Sequence, residues 1–149
     1  MGHNRFTVVP AVYVIFRKGD KVLLIERQNT GYRDGYFSMP AGHVDGGEPA
    51  SVAAAREAKE EVGVDVKPED LHLVHTQHRV AEEGNHERIS LYFEAKTWQG
   101  EPYNAEPEKC SGLLWATLDE LPPKIVPELQ HLFKHLETKS PYGHFGFDG

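Results

Sequence analysis

One cysteine, Cys110, is all the chain has, so no internal disulfide can form and no metal-spaced Cys/His cluster exists. That fits a reducing compartment. No apolar run approaches the roughly 18 residues that cross a bilayer, and the opening MGHNRFTVVP lacks the basic and apolar regions of a signal peptide. Gly2 would suit a myristoyl anchor, but Phe6 stands where that motif has Ser or Thr. A cytoplasmic protein without a membrane partner is expected. No basic tract offsets the formal net charge of −7, which argues against a nucleic-acid polymer as partner. No stretch is rich enough in Pro, Gly or Ser to be a long linker, and no segment repeats, so the 149 residues are expected to form a single domain, 1–149.

What is present alternates between strand-like and helix-like patterns. TVVPAVYVIF and KVLLIER are β-branched apolar runs around RKGD, where Gly19-Asp20 suits a tight turn, and they predict a hairpin. QNTGYRDGYFSMPAGH reads as loop, interrupted by Gly31, Gly35 and Pro40. A helix is predicted from Pro49, suited to a first turn, to Val62, with Gly63 as its stop. LHLVHTQHRV and RISLYFEAKTW read as strands around the polar turn AEEGNHE, and GLLWATL as another. In DELPPKIVPELQHLFKHLE, Ile125, Leu129, Leu132, Phe133 and Leu136 recur at helical spacing. SPYGHFGFDG has no assignable role beyond packing on the body. The order implies an α/β fold, a mixed central sheet with helices on both faces.

The first helix raises a chemical question. At 100° per residue Glu57, Glu60 and Glu61 share a sector with Ala50, Ala53 and Ala54, leaving Val52, Ala55 and Val62 on the opposite side to pack on the sheet. Like charges four apart, as at Glu57 and Glu61, cost about 0.2–0.5 kcal/mol on an isolated helix. A solvated acidic face, with Arg56 pairing Glu60 four residues on, is the plain alternative. The preceding PAGHVDGGEP, however, has Gly42, Gly46 and Gly47 where backbone can bend close to a ligand, then Glu48. A glycine loop feeding a carboxylate-lined helix suits a hard cation such as Mg²⁺, which favours oxygen ligands and bridges to phosphates.

Gly42, five residues, Glu48, seven residues, Arg56-Glu57-Ala58, one residue, Glu60-Glu61, one residue, Gly63-Val64 resembles the Nudix box, the signature of the Nudix hydrolases. The flanking hairpin, SMPAGH, later strands and terminal helix look like the MutT-like branch. Ala58 and Ala41 depart from the usual larger aliphatic residue and second glycine. The resemblance implies an α/β/α sandwich and a Mg²⁺-dependent (Mn²⁺ possible) pyrophosphohydrolase acting on a nucleoside diphosphate linked to another moiety. Nucleoside triphosphates are the first expectation, yielding monophosphate and pyrophosphate. A nucleotide sugar, ADP-ribose or a dinucleotide is the alternative, and a non-catalytic nucleotide-binding domain a third reading. By carry-over, Glu60 and Glu61 are metal ligands with the Ala41 carbonyl. Glu57 is a ligand or the general base, Arg56 orients a carboxylate, and Glu48 supports the loop or touches an outer-shell metal.

In some relatives the base comes from a later loop, for which GEPYNAEPEKC offers Glu106 first and Glu108 second. Arg27, ending the second strand, is a candidate phosphate contact, and Tyr36, Phe37 or Trp115 a candidate stacking surface for a base. His72, His75, His78 and His86 have neither helical metal spacing nor a compact cluster, so zinc is not expected. The partner is a small nucleotide, and the chain a monomer or homodimer.

Overall fold

A computed structural model describes residues 5–81 and 86–147. Gly2 and the centre of the AEEGNHE turn lie outside the described residues.

The first hairpin forms as the sequence predicts. Strands β1 (Val9–Lys18) and β2 (Lys21–Arg27) turn at Gly19, whose φ of +64° is the left-handed conformation glycine adopts freely. β1 is the centre of the molecule. Its Val12, Val14 and Phe16 face one core and Ala11, Tyr13 and Ile15 the other, which is why it reads as a continuous apolar run. Along one edge β1 pairs in parallel with β6 (Arg88–Ala95). Along the other edge it pairs antiparallel with the short β4 (Ala41–His43) near its start and with β2 at its end. β5 (Leu71–Arg79) lies antiparallel to β6, and β8 (Tyr142–Phe145) runs parallel to β5. β2 carries β7 (Cys110–Thr117) on one side and the two-residue β3 (Phe37–Ser38) on the other.

Helices cover both faces, as expected. α1 (Ala50–Val62) closes the Val12 side, and α2 (Pro127–Glu137) closes the Tyr13 side with Leu129, Leu132 and Phe133. Gly63 ends α1 in the left-handed conformation, φ +72°, its N–H donating to the Lys59 carbonyl at 3.1 Å.

The structure corrects four expectations. The buried face of α1 is Ala53, Ala54, Ala58 and Val62, while Val52 is exposed, so the alanines expected beside the carboxylates are the packing surface. Small side chains let the helix lie close to the sheet, which draws Glu57 and Glu61, flanking that same face, inward. The loop after β2 contains β3 and β4, too short for an alternating pattern to show. Ile125 precedes α2 and bridges Phe37. The C-terminal aromatic stretch supplies β8.

Candidate active site

The site forms where α1 crosses β4. Gly42 of β4 lies under Glu57 so closely that a Cβ there would overlap the Glu57 carboxyl group. Glu61 sits alongside, its Oε2 accepting the Ala41 N–H at 3.2 Å. Burial pushes the Glu61 carboxyl well above the usual carboxylate range, the hydrogen bond and charge of Glu57 push it further, and the Ala41 N–H opposes them. Two carboxyls in one dry corner need a proton or a cation between them. Glu60 stands at the rim, its side chain 50% exposed against 15% for Glu57.

Arg56 ties this group to the preceding loop. Its guanidinium pairs with Glu48 at 2.9 Å, Glu57 at 3.0 Å, Asp45 at 3.2 Å and Glu60 at 3.5 Å, and donates to the His43 carbonyl at 3.3 Å. The i, i+4 pair with Glu60 is therefore the longest of the four. Glu48, through its hydrogen bond, is the main reason the guanidinium holds its proton more tightly than usual, and Arg56 in turn lowers the Glu48 carboxyl.

The opposite wall comes from the loop before β7. Gln28 donates to the Pro107 carbonyl at 2.6 Å, Asn29 to that of Glu108 at 3.1 Å, and Asn104 to that of Cys110 at 2.6 Å. So pinned, Glu106 lines a hollow of about 450 Å³ with Glu57, Glu60, Glu61, Lys109 and Arg27. Burial raises the Glu106 pKa, Lys109 opposes, and Glu108, Glu57 and Glu60 add to the rise. Glu108 contributes its carbonyl to the pinning and does not line the hollow.

Arg27 donates to the Tyr32 carbonyl at 2.7 Å and to Thr30 Oγ1 at 3.0 Å, with its guanidinium 5.2 Å from the Tyr32 ring centre. It borders both the hollow and a second cavity of about 330 Å³, walled by Tyr13, Tyr32, Arg79, Arg88 and Glu128. Phe37 and Tyr36 line neither and pack against the α2-side core, and Trp115 packs near Trp98 against the other. The proposed stacking surfaces are thus not at the carboxylates. Tyr32 instead walls the second cavity beside Arg27, and its loop gave no periodic signal. Arg79 and Glu128 pair from 49 residues apart, a contact legible beforehand only as an acid, Glu128, on an apolar helix stripe.

A third cavity of about 1120 Å³ lies between Arg17, Trp98 and Leu136 and shares no residue with the carboxylates, so size does not mark the site. His75 is buried with Nδ1 2.8 Å from the Ser140 carbonyl, and His78 sits 2.7 Å from Glu87. Among the described residues no three His, Cys, Asp or Glu side chains converge as a ready-made metal cage, the carboxylates of α1 included. No helix among them is long and apolar enough to cross a membrane.

Crowded acids facing a glycine strand, with arginines alongside, sit on a mixed sheet with a helix on each face, an α/β fold. The chain belongs to the Nudix family, the NUDIX domain model matching residues 7–136. That family acts on pyrophosphate bonds of nucleotide substrates and generally uses divalent metal ions. The chain is 32% identical over 134 residues to the NAD-capped RNA hydrolase NudC of Pseudomonas aeruginosa, covering 90% of this chain and 44% of that protein. It is 26% identical to the 8-oxo-dGTP diphosphatase of Escherichia coli, covering 82% and 93%. It thus spans less than half the length of the NudC relatives it matches. The crystal structure of a MutT NUDIX hydrolase from Burkholderia pseudomallei superposes with a TM-score of 0.78 at 25% identity, covering 86% of this chain and 97% of that one.

Proposed function

We propose that the chain is a Mg²⁺-dependent nucleotide pyrophosphohydrolase that cleaves a nucleoside triphosphate to the monophosphate and pyrophosphate. The observation that carries this reading is the pressing together of Glu57 and Glu61 against Ala41 and Gly42, with Glu106 across the same hollow. The donor set fits Mg²⁺ or Mn²⁺: it is anionic, all oxygen, and open at the rim for water and phosphate. Glu57, Glu60 and Glu61 would hold the ion together with the Ala41 carbonyl. Bound there, it supplies neutralisation of pyrophosphate charge and a lowered pKa for water.

The chain's own groups do the rest. Arg56 fixes the rotamers of Glu57 and Glu48, so the acids are in position before substrate arrives. Arg27, held by Thr30 and the Tyr32 carbonyl, offers a guanidinium to a phosphate oxygen. Glu106, its pKa raised by burial and with no arginine ion pair among the described residues, takes the proton of the attacking water, with Glu57 as the alternative base.

A panel of nucleoside triphosphates, nucleotide sugars, ADP-ribose and dinucleotides, assayed for phosphate and pyrophosphate release with and without Mg²⁺ or Mn²⁺, tests the reading. Release from triphosphates only with metal supports it, and no metal-dependent release from any member ends it. Similarity to a protein named as an NAD-capped RNA hydrolase favours a second reading, in which a dinucleotide or ADP-ribose occupies the same site. Faster turnover of those members would select it.

A further inference from the structure

Arg27, Arg79 and Arg88 line the 330 Å³ cavity beside the carboxylate hollow, and among the described residues Glu128 is the one carboxylate in its walls. Glu128 is already engaged: Oε2 accepts from Arg79 Nη1 at 2.9 Å, both side chains being 5% exposed, and Oε1 accepts from the Tyr32 hydroxyl at 3.1 Å. Arg27 is held by neutral oxygens only. Among the described residues no carboxylate lies within 4.0 Å of Arg27 or Arg88.

The backbone fixes the place of Arg88: it is the direct cross-strand partner of Arg79 between β5 and β6, beside the Arg79–Glu128 pair. A bound anion would give it a partner, since a guanidinium fork matches phosphate oxygens two at a time. Arg27, Thr30 and Ala41 wall both cavities, so one ligand can run from the carboxylates into the arginines.

We propose that this cavity is a phosphate subsite with Arg88 as its specificity-determining residue, binding a phosphate of the substrate other than the diphosphate being cleaved. The inference rests on reading the neighbouring hollow as the seat of that diphosphate. Two sources share the chemistry, the terminal phosphate of a triphosphate and a phosphate on a nucleoside sugar.

The test compares the full chain with Arg88→Gln and Arg88→Lys. Inorganic phosphate titrated by calorimetry into metal-free protein should bind about tenfold or more weakly to Arg88→Gln, with Arg88→Lys between, the loss expected for one charge-assisted contact. Kinetics then use matched pairs, ATP with ADP and NADP with NAD, each differing by one phosphate. Arg88→Gln should raise KM by about tenfold for the phosphate-richer member of one pair and leave its mate within about twofold, kcat staying near wild type. A split within ATP and ADP assigns the terminal phosphate, and a split within NADP and NAD the sugar phosphate. Thermal melts guard against misfolding, and since Arg88 loses no carboxylate partner among the described residues the variant should melt close to wild type. Unchanged phosphate affinity, or equal effects on both members of both pairs, overturns the subsite. Should the wild type hydrolyse none of the four nucleotides, the wider panel decides the pyrophosphohydrolase reading, and the phosphate titration still decides the subsite.

Discussion

The carboxyl group of Glu57 occupies the space that a Cβ on Gly42 would need. Gly42 does not have a positive φ, so the requirement is for room and not for backbone freedom. Gly42→Ala should therefore fold normally while displacing Glu57. Displacement of a catalytic group by about 1 Å can cost about a hundredfold in rate, and a fall of that order in kcat/KM with little change in melting temperature is expected. The paired variant Gly42→Ala with Glu57→Ala should be no slower than Glu57→Ala alone, because the two changes act through one contact. Additive losses in that cycle would show that Gly42 matters for another reason.

Arg56 gives a second, separable prediction. One guanidinium serves Glu48, Glu57, Asp45 and Glu60 in directions a lysine ammonium cannot reproduce from one position. Arg56→Lys keeps the charge, yet turnover should fall about tenfold or more as Glu57 loses its fixed rotamer. The spread of rates between Arg56→Lys and Arg56→Ala measures how much of the effect is charge. Equal, wild-type-like rates in both would return Arg56 to a surface ion pair.

How much of this was legible beforehand follows the range of each interaction. The hairpin, α1 with its Pro49 start and Gly63 stop, and the acids Glu57, Glu60 and Glu61 all belong to local periodicity and spacing, which sequence carries directly. The orientation of α1 was misread because alanine is ambiguous: Ala53, Ala54 and Ala58 suit a close-packed face as well as an open one, and only the sheet beneath decides. β3, β4 and β8 are short segments, and β4 and β8 are fixed by strands far along the chain. The Arg79–Glu128 pair and the Arg79–Arg88 opposition depend on strand register and helix docking.

Glu61 and Glu60 lie four and three positions from Glu57 but should behave differently when replaced. Glu60→Gln and Glu61→Gln are both expected to lower turnover by orders of magnitude at saturating Mg²⁺, and Glu106→Gln, which removes the proposed general base, by about a hundredfold or more. Stability separates the first two. Glu61 is a buried acid beside another acid, so its neutral isostere should raise the metal-free melting temperature, whereas Glu60, half exposed, should leave it unchanged. Adding Mg²⁺ should raise the melting temperature of the wild type more than that of Glu61→Gln, because an ion that binds the folded state stabilises it by mass action. Equal shifts would remove Glu61 from the ligand set.

Far from the carboxylates, imidazoles gather where β5, β8 and α2 meet: His75 and His135 rings lie 5.0 Å apart, His131 and His135 rings 4.4 Å apart. Burial lowers the His75 pKa, the Ser140 carbonyl opposing and His135 adding. Burial likewise lowers that of His131, with His135, His75, His144 and Lys134 adding. For a base held below its unfolded value of 6.5, the unfolded chain binds more protons, so the contribution is whole above about pH 7 and is lost as pH falls through the folded pKa. Glu61 and Glu106, both raised, carry the opposite slope. A difference between proteins therefore isolates the imidazoles. His135→Gln removes the charge that both other rings feel, and its urea midpoint should fall less than that of the wild type between about pH 7 and pH 5, the two curves running parallel above pH 7. Parallel curves throughout would mean that the cluster packs without sensing protons.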